Sequence, residues 1–212
     1  MRGAPEREAY RLEFLLGCTR DSRIFDVGCG RGFLAQGLIK VFGSMNYIGM
    51  DVDKVNVHFC KQVIGEKHPS YHFQHMDLYN ARYNKSGKIR IGRDFRFDVE
   101  SSSVDIVNVF SVFTHMDESE MMIYLKEFLR ILTPDGKVFF TAFIEKGVQS
   151  VSYNPEGYVF AECEGPLMLV RYERDYLSAL LRRLGYTILN ISEPGEGIIT
   201  SAQRSIYLER AV

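Results

Sequence analysis

Ile24-Phe25-Asp26-Val27-Gly28-Cys29-Gly30-Arg31-Gly32-Phe33-Leu34 is the stretch that decides the fold of this chain. A short apolar run ends in three glycines at alternate positions. Leu34, Leu38 and Val41 then follow at helical spacing, with Gly43 as a stop. The order is strand, tight turn, helix. At such a helix start a ligand can lie against exposed amides, and glycines let it approach without meeting a Cβ. The spacing is G-x-G-x-G, whereas a dinucleotide fingerprint wants glycine or alanine where Phe33 stands. Pyrophosphate binding is therefore disfavoured. Asp26, two residues before the first glycine, points the same way, because a carboxylate suits a cationic group better than phosphates. Its other reading is a turn former at a strand end.

Working outward, strands and helices alternate. A helix from Arg7 to Leu16 precedes the first strand and is closed by Gly17. Tyr47 to Met50 reads as a second strand, Lys54 to Ile64 as a helix, Tyr71 to Met76 as a third strand and Val104 to Val109 as a fourth. Asp117 with Glu120 three residues on forms a capping-box pattern, and Met121, Leu125, Phe128 and Leu132 follow on one face. Thr133-Pro134-Asp135-Gly136 reads as a turn before a fifth strand, Lys137 to Phe143. Leu177 to Leu184 is a last helix stopped by Gly185. Thr187 to Ile191 and Ser205 to Leu208 are closing strands around a Pro194-Gly195 turn region. The alternation predicts an α/β fold with a mostly parallel sheet covered on both faces, and the last two strands predict an antiparallel member.

Two acidic positions recur at strand ends. Asp51 closes the second strand, 19 residues after Gly32, where a carboxylate can accept both ribose hydroxyl protons. Asp53 reads as the cap of the following helix. Asp77 closes the third strand and could accept an adenine amino group, with the next backbone N–H meeting a ring nitrogen. Alone, Asp77 reads as a turn residue. Together with the glycine loop the strand-end aspartates make one case.

The 212 residues are 46% hydrophobic and 25% charged, with 26 basic and 27 acidic side chains, so the net charge of −1 offers no global attraction to nucleic acid or an anionic membrane. Length and composition predict one domain over residues 1–212, with a basic connection at 78–103 and a lid insertion at 144–172. The lid segment carries Tyr153, Tyr158, Phe160, Met168 and Tyr172. Cys18, Cys29, Cys60 and Cys163 form no C-x-x-C pair and suit a reducing compartment. No apolar run approaches the roughly 18 residues of a membrane span. Pro5, Glu6 and Glu8 stand where a signal peptide would be apolar. A soluble, cytoplasmic protein without a membrane partner is expected; oligomeric state is left open.

The chain resembles class I S-adenosylmethionine-dependent methyltransferases. The resemblance is carried by Asp26 to Gly32, Gly49-Met50-Asp51, Met76-Asp77-Leu78, Ser103 to Val107 leading to Phe113-Thr114-His115-Met116, and Leu129 to Gly136. It implies a Rossmann-like seven-stranded sheet in the order 3-2-1-4-5-7-6 with strand 7 antiparallel. It also implies S-adenosyl-L-methionine as cofactor. Asp26, Gly28, Cys29, Gly30 and Gly32 would hold its methionine part, Asp51 and Val52 the ribose, and Asp77 and Leu78 the adenine. Phe110 and Ser111 would line the floor near the sulfonium. Asp135 stands where many relatives have a second glycine. The helix before the first strand is also short for the family, so the expected cap over the cofactor is thin or trimmed.

Methyl transfer chiefly needs donor and acceptor held in line, and a base when the acceptor is a hydroxyl. His115 is the candidate base; it stands equally as a structural histidine near the next helix. Tyr153 and Tyr172 are the candidate acceptor-facing residues. His72 and His75 point to opposite faces of a strand, so no metal site is expected. The fourth strand lacks the Asn-Pro-Pro-Tyr run of amino-methylating nucleic-acid enzymes, and no cysteine stands there to attack a pyrimidine. Arg82 to Arg96 carries a net charge of +5 with Tyr83 and Phe95 interleaved, a patch that could track phosphates or hold an anionic small substrate. The reading is a small-molecule methyltransferase, O-methylation ahead of N- or C-methylation. An RNA-directed methyltransferase and a non-catalytic cofactor-binding subunit are the alternatives.

Overall fold

A computed structural model describes residues 4–158, 167, 169–193 and 203–211. Phe160, Cys163, Met168, Pro194 and Gly195 lie outside the described residues. The elements run α1 (Pro5–Leu16), β1 (Arg23–Val27), α2 (Phe33–Phe42), β2 (Asn46–Asp51), α3 (Lys54–Cys60), β3 (Tyr71–His75), β4 (Val104–Val109), α4 (Glu118–Ile131) and β5 (Leu132–Glu145). They close with β6 (Val151–Tyr153), β7 (Val170–Glu173), α5 (Arg174–Arg183), β8 (Tyr186–Ile191) and β9 (Gln203–Arg210).

β1 lies at the centre, parallel to β2 and β4, with β3 beyond β2 and β5 beyond β4. β9 runs antiparallel to β5 and pairs β8. With β8 and β9 as the sixth and seventh strands, the order 3-2-1-4-5-7-6 holds. The count of seven does not: among the described residues there are nine strands in one sheet. The extra pair comes from the connection between β5 and α5. β5 extends to Glu145, and its end at Phe143 to Glu145 takes β7 as a parallel neighbour, with β6 antiparallel on β7.

The period-two alternation of the strands splits the core. Phe25, Val27, Val107, Val109, Val138 and Phe140 face α4 and α5. Ile24, Ile106 and Phe139 face α1, α2 and α3. Asp26 and Asn108 fall on the second face.

Two further expectations change. The helix expected from Lys54 to Ile64 is α-helical only to Cys60; a π-helical turn, Lys61–Gly65, finishes it, with Glu66 N–H donating to Lys61 O at 3.0 Å. The Thr133 to Gly136 turn is instead an outward bulge inside β5: Val104 pairs Leu132 and Ile106 already pairs Lys137, so Thr133 to Gly136 stand opposite Asp105 alone, with Pro134 and Asp135 exposed to solvent. The cap of α4 is as read, Asp117 Oδ1 accepting from Glu120 N–H at 2.9 Å.

Candidate active site

A cavity of about 260 Å³ opens at the carboxyl ends of β1, β2 and β4. The glycine loop forms one wall through Val27, Gly28 and Gly30. Gly28 has φ 73°, and a Cβ there would run into Val112 Cγ2, so only glycine lets these two walls approach. Four of the loop amides are engaged within the chain. Gly28 and Cys29 N–H both donate to Met50 O (2.8 and 3.0 Å), Gly32 N–H to Cys29 O (2.9 Å) and Gly30 N–H to Asp51 Oδ2 (2.8 Å).

Asp51 and Val52 form the next wall. The Asp51 oxygens each hold one backbone N–H, from Gly30 and from Asp53 (2.8 Å). An ionised carboxylate has about four acceptor sites, so capacity remains for a diol. Burial raises its carboxyl above the usual range despite those bonds.

Phe110 and Ser111 line the floor. Ser111 sits at φ 58°, a left-handed conformation that costs a non-glycine residue on the order of 1–3 kcal/mol. It is held there by Thr141 Oγ1, which accepts from its N–H at 2.8 Å, and by Gln203 Nε2, which donates to its Oγ at 3.2 Å.

Several residues expected in the site stand elsewhere. Asp26 is 3% exposed on the α1–α2 face, and its carboxylate accepts from Tyr47 Oη (2.6 Å) and Asn108 Nδ2 (2.7 Å). Strand alternation turns it away from the cavity. Cys29 is packed beneath the loop beside Cys60. Gly32 serves helix packing, since a Cβ there would press on Ile64 Cδ1 at 2.5 Å. Asp77 does not line the cavity; its Oδ1 accepts from Asn84 Nδ2 at 3.1 Å. Leu78 does line it, but its N–H is taken by Met76 O at 2.7 Å. Tyr172 is fully buried in the core and Tyr153 is 49% exposed, its Oη accepting from Glu118 N–H at 3.4 Å; neither reaches the cavity.

The connection after β3 supplies a wall that sequence reasoning treated only as a charge patch. Tyr79, Asn80, Tyr83 and Ile91 line the cavity. Its cations are partly spent: Arg90 lies over the Tyr79 ring (3.9 Å) and Arg96 pairs with Glu127 (3.1 Å). Arg82 Nη1 comes within 3.4 Å of His115 Nδ1, and Tyr83 meets the His115 ring edge-on. His115 itself lines the cavity, as do Glu120 and Tyr124. Glu120 reaches back towards the Asp117 N–H, and burial with the nearby Asp117 charge leaves its carboxyl raised. The capping and core patterns of α4 hid both residues; the i, i+4 pair beside the apolar stripe was the available signal. Among the described residues no three His, Cys, Asp or Glu side chains gather at metal-binding distance.

Residues 24–136 match the protein-family model described as a methyltransferase domain. The chain belongs to the class I S-adenosylmethionine-dependent methyltransferases. The cofactor of this methyltransferase is S-adenosyl-L-methionine. Its cavity fits that group: spare acceptor capacity on Asp51 for a ribose, and a glycine where a Cβ would close the cleft.

Solved structures share the fold. A 1,6-didemethyltoxoflavin-N1-methyltransferase from Burkholderia thailandensis, with S-adenosylhomocysteine bound, superposes at TM-score 0.66 and 15% identity over 100% of this chain and 80% of its own. A SAM-dependent methyltransferase from Aquifex aeolicus gives TM-score 0.59 and 15% identity, covering 98% of both chains. Magnesium protoporphyrin IX methyltransferase from Synechocystis gives 0.59 and 14% over 98% of this chain and 79% of its own.

Proposed function

We propose that this methyltransferase methylates a small molecule through an ionisable hydroxyl, with His115 as proton acceptor. The observation that carries the reading is the Arg82–His115 pair at the cavity. A guanidinium only donates, so Nδ1 of the ring is the accepting nitrogen and the neutral ring carries its proton on Nε2. A hydroxyl entering between the two would replace the Arg82–Nδ1 contact; the Arg82 charge would lower its pKa, and its proton would pass to Nδ1, freeing the alkoxide to take the methyl. When bound, S-adenosylmethionine supplies an electrophilic methyl on a sulfonium leaving group. Asp51, Val52 and the Gly28–Gly30 turn would hold it, and Phe110 and Ser111 would floor the reacting end. Holding both partners in line accounts for about 7–11 kcal/mol of the barrier. The toxoflavin and protoporphyrin enzymes act on small molecules, which supports the acceptor class but not the atom methylated.

The test is turnover of labelled cofactor against phenols, hydroxy acids, amines and RNA, with the linkage read by NMR. An O-methyl product is expected, and His115→Gln should lower turnover about a hundredfold or more with S-adenosylhomocysteine affinity nearly intact. An N-methyl product, or salt-sensitive methylation of RNA alone, would sink the hydroxyl reading. A His115→Gln enzyme that melts earlier but turns over within a few fold would make the ring a packing residue.

A further inference from the structure

Of the four non-glycine residues with positive φ among the described residues, only Ser111 lines the cavity. Strain of this kind persists where surrounding contacts over-determine the backbone. Here a closed ring of hydrogen bonds does so. β9 runs antiparallel to β5, so its first residue, Gln203, lies opposite Phe143, with Thr141 two residues away on the same face of the sheet. Ser111 follows the end of β4 and meets both. Its N–H donates to Thr141 Oγ1 (2.8 Å), Thr141 Oγ1 donates to Gln203 Oε1 (2.8 Å), and Gln203 Nε2 returns to Ser111 Oγ (3.2 Å).

The directions of these bonds are fixed by the buried member. Thr141 is fully buried and its oxygen already accepts from Ser111, so its proton goes to Gln203 Oε1. The Gln203 amide must then turn Nε2 towards Ser111. Ser111 Oγ is an acceptor within the ring, and its own proton is directed out of it. The other polar group beside that oxygen is Thr114 Oγ1 at 3.5 Å, the limit of a hydrogen bond. His115, the residue after Thr114, lines the same cavity as Ser111. We propose that Ser111 donates this proton to the reacting oxygen of the acceptor, and that Thr141 and Gln203 are positioning residues that aim it. The proposal deepens the hydroxyl reading above and rests on it. Once its proton has passed to His115 Nδ1, the acceptor oxygen has three lone pairs. The ring N–H takes one and the Ser111 hydroxyl a second. The third forms the O–CH3 bond as the S–CH3 electron pair returns to sulfur. Holding that lone pair in line is a gain in the transition state more than in binding.

Steady-state kinetics test it, using labelled S-adenosylmethionine and the phenol or hydroxy acid that the wild type methylates fastest. S-adenosylhomocysteine affinity and Tm are measured on each variant. Ser111→Ala should lower kcat about five- to tenfold with KM within about twofold. Ser111→Gly also relieves the positive φ, so its Tm should be no lower than that of the wild type while kcat falls at least as far. Gln203→Glu keeps the size of the side chain but can only accept, so the Ser111 proton turns back to it and kcat should fall as in Ser111→Ala. Thr141→Val should lose turnover likewise, and Thr141→Ser, which restores the hydroxyl, should recover most of it. In the Ser111→Ala background, Gln203→Glu and Thr141→Val should each cost less than about twofold more, because nothing is left to aim. Losses that add in the double variants would make Thr141 and Gln203 merely structural and overturn the proposal. Wild-type turnover in Ser111→Gly would overturn it too. So would a fall in S-adenosylhomocysteine affinity by the same factor as kcat, which would assign Ser111 to the cofactor. In each of these cases the hydroxyl reading stands. A wild type that methylates no hydroxyl overturns both.

Discussion

Asp26 shows how a single side chain can belong to the signature of a site and still work elsewhere. Its carboxylate is the centre of a buried chain of contacts: Tyr47 and Asn108 donate to it, and Asn108 Oδ1 accepts from Arg11 Nη2 at 3.2 Å. Arg11 also pairs with Glu8 (2.6 Å) and lies over the Phe139 ring (3.3 Å). The network ties α1 to β1, β2, β4 and β5 beneath the glycine loop. Burial pushes the Asp26 carboxyl up to about 6, the two donated bonds holding it lower than burial alone would. A carboxyl whose folded pKa lies above its unfolded value of 3.8 binds its proton more tightly in the folded state. Its stabilising term is complete below that value and is lost as pH rises through about 6. The loss is roughly 3 kcal/mol. Urea melts between pH 4 and 7 should show this slope in the wild type, and Asp26→Asn should flatten it even though the variant is less stable throughout. An unchanged slope in the variant would place the titrating group elsewhere.

At the scale of elements, the connection between β3 and β4 departs furthest from a periodic reading. It has no helix, and local contacts shape it. Asn80 Oδ1 accepts from the N–H of Arg82 and Tyr83 (both 2.9 Å), and Ile89 exchanges backbone bonds with Asp77 and Tyr79 (both 2.9 Å). This closes the loop back onto the end of β3. Gly87 makes the closure possible, because a Cβ there would overlap the Leu78 carbonyl. Gly87→Ala should therefore lift the wall carrying Tyr79, Tyr83 and Ile91 off the cavity. The expected result is faster limited proteolysis within residues 79–91 and an S-adenosylhomocysteine affinity lower by about tenfold, with a smaller change in Tm. Proteolysis and affinity at wild-type levels would mean that the loop accommodates the methyl group without moving. The bulge at Pro134 and Asp135 and the π-helical turn after Cys60 escape periodicity for a related reason: each adds residues that only a neighbouring strand or loop makes room for.

At the scale of the whole molecule, the sheet joins one half, β1 to β3, to a second half in which β5 carries both β9 and the β6–β7 pair. We propose that the segment 144–172 covers the acceptor. Its peptides should exchange hydrogen more slowly when an active acceptor and S-adenosylhomocysteine bind together than with the latter alone. Equal exchange in the two states would remove the lid role. Much of this architecture was legible in the order of residues. Strand-to-helix alternation, glycine stops and the Asp117 cap are local properties, and they placed β1 to β5, α1, α2 and α4; the strand order came only with the family resemblance. The glycine loop and Asp51 were legible for the same reason, since the close approach at Gly28 and an acidic strand end are written in neighbouring residues. Which aspartate faces the ligand was not. Strand alternation and partners distant in sequence turned Asp26 towards Tyr47 and Asn108, and loop closure gave Asp77 to Asn84. The same long-range packing set Glu120 and Tyr124, patterned as a helix cap and a core residue, against the cavity, brought Arg82 to His115, and buried Tyr172. The sequence by itself determined the class of sheet and the strand ends at which the cavity opens, because both follow from local periodicity and turn chemistry. Only the tertiary structure decided which side chains line that cavity, because a side chain's direction depends on the partners that compete for it.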